Sequence, residues 1–295
     1  MQVVNLTKKI EGKLILDNIS FELYPGKITG LVGRNGVGKT TLFRTMTEIY
    51  LKDEGDVFID QHSIYTNSVL KEKLFYLDDS FNFLNTQTPK QIEIYYQSFY
   101  PCFNSEKYYG LLEKYHFDLT KKIHRFSKGN LALFKIILAF STQSEYYLFD
   151  EPFDGLDIII KKAVIGLLIH EISLNQCGIM ISSHNLTELE DLIDHALILN
   201  HGTIEKDFDL DNIKKVTKKY QMVFSKKDIP TLVKQNSKII HVHGRVLIGV
   251  FDKMTPELYD SIISLDPVLF EEVPLTLEDI FSVNLIEEKD YSLFN

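Results

Sequence analysis

The chain has no cysteine framework, no apolar run of membrane length and no surplus of positive charge. Its two cysteines, Cys102 and Cys177, cannot build a disulfide scaffold, and their spacing matches no metal motif. They read as two small, half-buried thiols in a reducing cytosol. The most apolar stretches, residues 131–140 and 163–169, fall well short of the roughly 20 residues a spanning helix needs. Lys135 also interrupts the first of them. The opening MQVVNLTKKIEGK lacks the apolar centre of a signal peptide. A cytosolic chain is therefore expected, reaching a membrane only through a partner. Lys and Arg number 32 against 41 Asp and Glu, a formal charge of −9. Neutralising phosphates needs surplus cations, so nucleic acid is not the expected main partner. Neither internal repeats nor low-complexity tracts occur.

What is present is ordinary globular composition over 295 residues, 44% hydrophobic and 25% charged. Intrinsic disorder is excluded. The length suits one large domain and one smaller. Up to about residue 60 the text reads as strands: VVNL, KLILDNISFEL and GDVFID mix alternation with β-branched residues. The short apolar run KITGLV leads into a glycine loop and then a helix expected over TTLFRTMTEIYL, residues 40–51. Strand, glycine loop and helix open an α/β nucleotide-binding unit. From about 80 to 140 aromatics crowd at helical spacing, as in a helical subdomain inserted into that core, with the rings packing between helices. Further strands are expected at YYLFD (146–150), GIMIS (178–182) and ALIL (196–199). Past residue 210, KKVTKK reads as a solvated linker, followed by short strands and two helical patterns of a small α+β domain. The final EEKDYSLFN is expected to fray.

Residues 33–40, GRNGVGKT, match G-x-x-x-x-G-K-[ST] between a predicted strand and a predicted helix. Glycines let backbone N–H groups wrap phosphates, and a helix N-terminus adds positive potential. Asn35, Gly36, Val37, Gly38, Lys39, Thr40 and Thr41 are therefore the candidate nucleotide cradle. Lys39 would neutralise phosphate oxygens, and the Thr40 hydroxyl would ligate Mg²⁺. The strand YYLFD ends in Asp150 and Glu151. Asp150 would hold Mg²⁺ through water, and Glu151 could polarise an attacking water as general base.

These motifs in this order resemble the ATP-binding subunit of an ABC transporter, over roughly residues 1–210. The phosphate loop, LFDE, PFDGLD (152–157) and ISSHN (181–185) follow the family's succession. FSKGN (126–130) stands where the family carries LSGGQ. The resemblance implies a P-loop ABC-type ATPase core of class α/β, residues 1–210, with a helical subdomain at about 80–140; the small α+β domain read from the pattern at 211–295 goes beyond that core and is expected to be accessory or regulatory. It implies ATP and Mg²⁺ as ligands. It further implies a head-to-tail dimer in which each ATP sits on one phosphate loop and is closed over by the other chain's signature. Ser127 and Gly129 would meet the γ-phosphate in trans, His184 would be the switch histidine holding Glu151 or the water, and Asp157 would couple the sites. One phosphate loop per chain requires a homodimer or a heterodimer with a related ATPase. An integral membrane permease subunit would hold the chain at the cytoplasmic face of the membrane. The alternative class is a soluble non-transport ABC ATPase acting on ribosomes or DNA. Such proteins usually carry paired cassettes, long coiled coils or zinc inserts, none visible here, and the acidic charge counts against it.

Departures from the pattern carry expectations of their own. Lys128 replaces the first signature glycine and could bring positive charge near the nucleotide. Asp79, in YLDDS, stands where the family has a glutamine and is expected to keep a metal-sensing role. Ile10 occupies the place of an adenine-stacking aromatic, which predicts modest ATP affinity and poor ATP/GTP discrimination. FYPCF and SKGN resemble a bacterial exporter group handling drugs, antimicrobial peptides or amphipathic peptides. PLTLEDIFSVNL (274–285) is similar to the ending of many exporter ATPases.

Overall fold

A computed structural model describes residues 1–78, 85–225 and 228–280. The chain divides into two compact units, Met1–Asp207 and Phe208–Asn295.

In the first unit two sheets form. β1 (Gln2–Ile10), β2 (Lys13–Glu22), β4 (Glu54–Ile59) and the short β5 (His62–Ser63) make an antiparallel sheet in the order β2-β1-β4-β5. The second sheet comprises β3 (Ile28–Val32), β6 (Leu74–Leu77), β7 (Tyr146–Asp150), β8 (Gly178–Ser183), β9 (His195–Asn200) and β10 (Thr203–Asp209). Its order is β10-β9-β3-β8-β7-β6, and β6, β7, β8, β3 and β9 run parallel. All residues of β3, β7 and β8 are buried. That explains their near-continuous apolar text, because a parallel strand covered on both faces has no solvent side to alternate toward. Leu31, Leu148, Met180 and Leu197 pack with Leu42, Phe43 and Met46 into one core with the antiparallel sheet.

α1 (Lys39–Met46) follows the glycine loop and stops sooner than its text suggests. The Thr47 hydroxyl bonds back to the Phe43 carbonyl, and Glu48 turns left-handed at φ 59°. A hydroxyl that offers the backbone a local alternative weakens helix continuation. The aromatic-rich stretch is helical as expected: α2 (Pro89–Gln97), α3 (Ser105–Lys114) and α4 (Lys128–Ser141). Thr88 and Gln91 form a capping box on α2. Tyr108, fully buried, stacks edge-on to Phe103 and Phe134 and donates its hydroxyl to the Pro89 carbonyl at 3.1 Å. α5 (Ile158–Asn175) is capped by Asp157, whose carboxylate accepts from the amides of Ile159 and Ile160. Among the described residues no helix is long and apolar enough to cross a membrane. The thiols differ from expectation, since Cys102 is exposed and Cys177 buried.

The second unit starts with α6 (Leu210–Val216) and continues β11 (Lys218–Val223), α7 (Thr231–Asn236), β12 (Lys238–His243), β13 (Val246–Phe251), α8 (Pro256–Ile263) and β14 (Leu269–Val273). The strand order β12-β13-β11-β14, antiparallel throughout, makes this a βαββαβ split motif. Tyr220, Met222, Phe251 and Ile262 centre its core. KKVTKK is no linker. Lys214 and Lys215 close the last turn of α6, where cations suit the helix dipole. Lys218 and Lys219 open β11 and pair with Glu272 and Asp279.

Candidate functional site

The site lies at the carboxyl ends of β3, β7 and β8. Strand register decides what meets there, because Val32 pairs with Ser183 and Asp150 with Ser182. β3 leads into the phosphate loop, β7 into Glu151 and β8 into His184. Ligand sites of open parallel sheets form at such strand ends.

Within the loop, Gly38 adopts φ 118° as the residue before α1, a conformation that strongly favours glycine. Asn35, Gly36 and Thr40 are exposed, and Val37 and Thr41 are half-buried. Lys39 is 5% exposed; its Nζ donates to the Gly33 carbonyl at 2.7 Å and stands 3.1 Å from Glu151 Oε1. Thr40 Oγ1 donates to Asp150 Oδ2 at 2.6 Å. Ser182 Oγ donates to the other oxygen, Asp150 Oδ1, at 2.5 Å and accepts the Glu151 amide at 2.9 Å. Glu151 itself takes φ 48°, a left-handed turn uncommon for a side-chain residue. That turn swings its carboxylate between two partners: Oε1 meets Lys39, and Oε2 lies 2.9 Å from His184 Nδ1 and accepts the His184 amide at 3.4 Å. Beside them, burial raises the Tyr76 phenol, with the charges of Asp150 and Asp78 adding to it. The phenol stays protonated and can donate to Asp78 Oδ2 at 3.4 Å.

The structure thus gathers Lys39, Thr40, Asp150, Glu151 and His184 around one point. Ser182 joins them, although its only sequence signal is its place two residues before His184 on a strand paired with Asp150. Ser127 and Gly129 stand elsewhere. Ser127 caps α4 by accepting the Asn130 amide, and a Cβ at Gly129 would lie a tight 3.1 Å from the Ile160 side chain. Among the described residues neither hydrogen-bonds to the phosphate loop. Lys128 Nζ bonds Asp154 Oδ2 at 2.9 Å within the same chain. Ile10 closes β1 against Lys13 at the hairpin turn and is 36% exposed. Asp79 lies outside the described residues.

The ABC transporter family matches residues 16–154, which spans the phosphate loop and the carboxylate pair. An ABC transporter ATP-binding protein of Methanocaldococcus jannaschii, MJ1023, is 30% identical over 68% of this chain and 74% of its own length. This chain belongs to the ATP-binding proteins of ABC transporters. The ABC transporter ATP-binding protein YtrB of Bacillus subtilis is 28% identical over 95% of this chain and 96% of its own, so the likeness to that ABC protein runs through the second unit too. The solved structure of another ABC transporter's ATP-binding subunit superposes with a TM-score of 0.66 at 23% identity, covering 72% of this chain and 91% of that one, a likeness of fold. This ABC ATPase binds ATP and hydrolyses it.

Proposed function

We propose that the chain is the energising subunit of an exporter, coupling ATP hydrolysis to a separate integral membrane permease that moves a drug, an antimicrobial peptide or an amphipathic peptide. The observation that carries the hydrolytic part is one contact network in which Lys39 and His184 both meet Glu151, Thr40 meets Asp150, and Ser182 joins the two carboxylate residues. Export and its cargo class rest on the SKGN and FYPCF resemblance.

Each residue has a task set by its contacts. Lys39 and the loop amides hold the β- and γ-phosphates. Glu151 accepts a proton from the attacking water, with His184, its proton on Nδ1, keeping the carboxylate in place. Thr40 Oγ1 and Asp150 Oδ2, 2.6 Å apart, are hard oxygen donors that fit Mg²⁺, which typically takes one or two protein ligands and completes its shell with phosphates and water. When bound, Mg²⁺ would neutralise charge developing on the phosphates. Two chains complete each site, as a homodimer or with a related ATPase. Ser127, the Gly129 amide and the N-terminal end of α4 then approach the partner's γ-phosphate, a placement favoured by the helix dipole.

Docking to a permease at the cytoplasmic face of the membrane is supported by an exposed apolar surface on α2 and the segment before β6. Tyr95 and Phe99 line a groove of about 440 Å³ there, and Val69 and Ile94 are exposed on the same two segments. Such a patch on an acidic chain suits a protein partner.

The test is capture of a tagged Glu151→Gln chain from its native cells, solubilised with ATP present, followed by mass spectrometry. A near-stoichiometric polytopic membrane protein supports the reading, and a second ATPase beside it makes the dimer hetero. Recovery with ribosomes, nucleic acid or no companion defeats it.

A further inference from the structure

Asp78 is the residue at which the phosphate-loop helix and the signature helix meet. It follows β6 directly. Its carboxylate accepts from Arg44 Nη2 at 3.0 Å, and Arg44 stands on α1 one turn beyond Thr40. The same guanidinium donates to the Tyr50 hydroxyl at 2.9 Å, so its orientation is fixed from two sides. The Asp78 carbonyl accepts from Lys135 Nζ at 3.4 Å. Lys135 is the cation that interrupts the apolar text of α4, and it is 7% exposed. An ammonium set in an apolar helix is costly unless polar partners meet it. Asp78 and Lys135 also share the wall of a cavity of about 60 Å³ with Asp150 and Glu151. One residue thus touches α1 through its side chain, α4 through its backbone, and the space behind the catalytic carboxylates.

Charge-assisted hydrogen bonds hold geometry more firmly than apolar contact does. A shift of α1 at its phosphate end moves Arg44, and with it Asp78. Lys135 sits two helical turns inside α4, so displacement of the Asp78 backbone is passed to the helix that begins at Ser127.

We propose that Asp78 is a positioning residue for ATP hydrolysis, tying the phosphate-loop helix through Arg44 to the signature helix through Lys135. This rests on the reading above that Ser127 and Gly129 close over a partner's nucleotide. The Asp78 carboxylate is held by Arg44, outside the phosphate loop of residues 33–40, so its loss should spare binding on that loop and impair closure.

The experiment compares the full-length chain with Asp78→Asn, Asp78→Glu and Arg44→Lys. Nucleotide affinity is titrated with ATP, turnover is measured at steady state, and hydrogen exchange is followed with and without ATP. In the unaltered chain ATP should protect both residues 39–46 and residues 128–141. Asp78→Asn should keep ATP affinity and protection of 39–46, lose protection of 128–141, and turn over about tenfold more slowly, in the range by which residues along a coupling route act. Asp78→Glu, which keeps the charge, should recover most of the turnover. Arg44→Lys, which keeps the charge but not the two-sided grip, should fall between them. Turnover and protection of 128–141 equal to the unaltered chain in Asp78→Asn would overturn the inference alone. So would a joint loss of affinity, both protections and melting temperature in all three variants. Absence of ATP-dependent protection of 128–141 in the unaltered chain would overturn closure between two copies of this chain, and this inference with it.

Discussion

Lys39 and Glu151 form an ion pair of 3.1 Å in which the candidate phosphate-binding cation and the candidate general base neutralise each other. Lys39 is almost wholly buried and Glu151 is 22% exposed, so water screens the pair only partly. A triphosphate entering the loop competes with Glu151 for the same ammonium. Freeing the carboxylate for water is therefore linked to filling the loop. Glu151→Gln removes the competing charge. Turnover should fall by about 10²–10⁴, the contribution of a positioned base, while ATP binds more tightly than to the unaltered chain. Equal losses of turnover and affinity in a nucleotide titration would show that Glu151 serves binding instead.

Ser182 carries a second prediction. Its hydroxyl is the only described link between one Asp150 oxygen and the Glu151 amide. Ser182→Ala leaves buried polar atoms without a partner, at a cost of about 1–3 kcal/mol. Melting temperature should drop by a few degrees, and turnover should fall more steeply than ATP affinity. Ser182→Thr, which keeps the hydroxyl, should restore part of both.

Gly33→Ala should abolish nucleotide binding. A Cβ there would lie 2.6 Å from the Leu199 carbonyl and 2.8 Å from Val37, and a backbone oxygen in a sheet strand cannot move aside cheaply. Gly36→Ala meets no neighbouring atom and should act only through its φ of 80°, with a milder loss. Equilibrium titration of both variants with ATP tests the ranking.

Burial pushes the Cys177 thiol up to about 12. Thiolate is the reactive form, and a raised value means the thiol stays protonated through the neutral range. Alkylation of the native chain at pH 8 should label Cys102 alone, and unfolding should expose the second site. Mass spectrometry of the labelled chain reads the count directly.

Ile10 predicts the nucleotide preference. An aliphatic contact lacks the roughly 0.5–1.5 kcal/mol that a paired ring adds beyond area. ATP and GTP should bind within about tenfold of each other. A strong ATP preference in parallel titrations would refute this.

Much of the first unit was legible because its signals are local. A glycine loop between an apolar run and a helix is written in consecutive residues, and buried parallel strands announce themselves by having no polar face. YYLFD became β7 with the expected bounds for that reason. Misreadings came where partners are distant. KKVTKK looks solvated until Glu272 and Asp279 are brought alongside its lysines, and only strand pairing does that. Ser182 and Asp78 were invisible as site residues for the same reason. Their importance lies in contacts with Asp150 and Arg44, far away along the chain. The helix after the phosphate loop ran short because Thr47 turned its hydroxyl onto the backbone, a choice that periodicity does not record.

The parallel register has a consequence in time. Thr40 and its partner Asp150 are 110 residues apart, and Ser182 comes later still. A chain emerging from synthesis therefore has its phosphate loop long before it has the residues that give the loop a charge balance. Lys39 stays without Glu151 until β7 docks between β6 and β8. The charge balance of the loop is therefore completed only when β7 is in place.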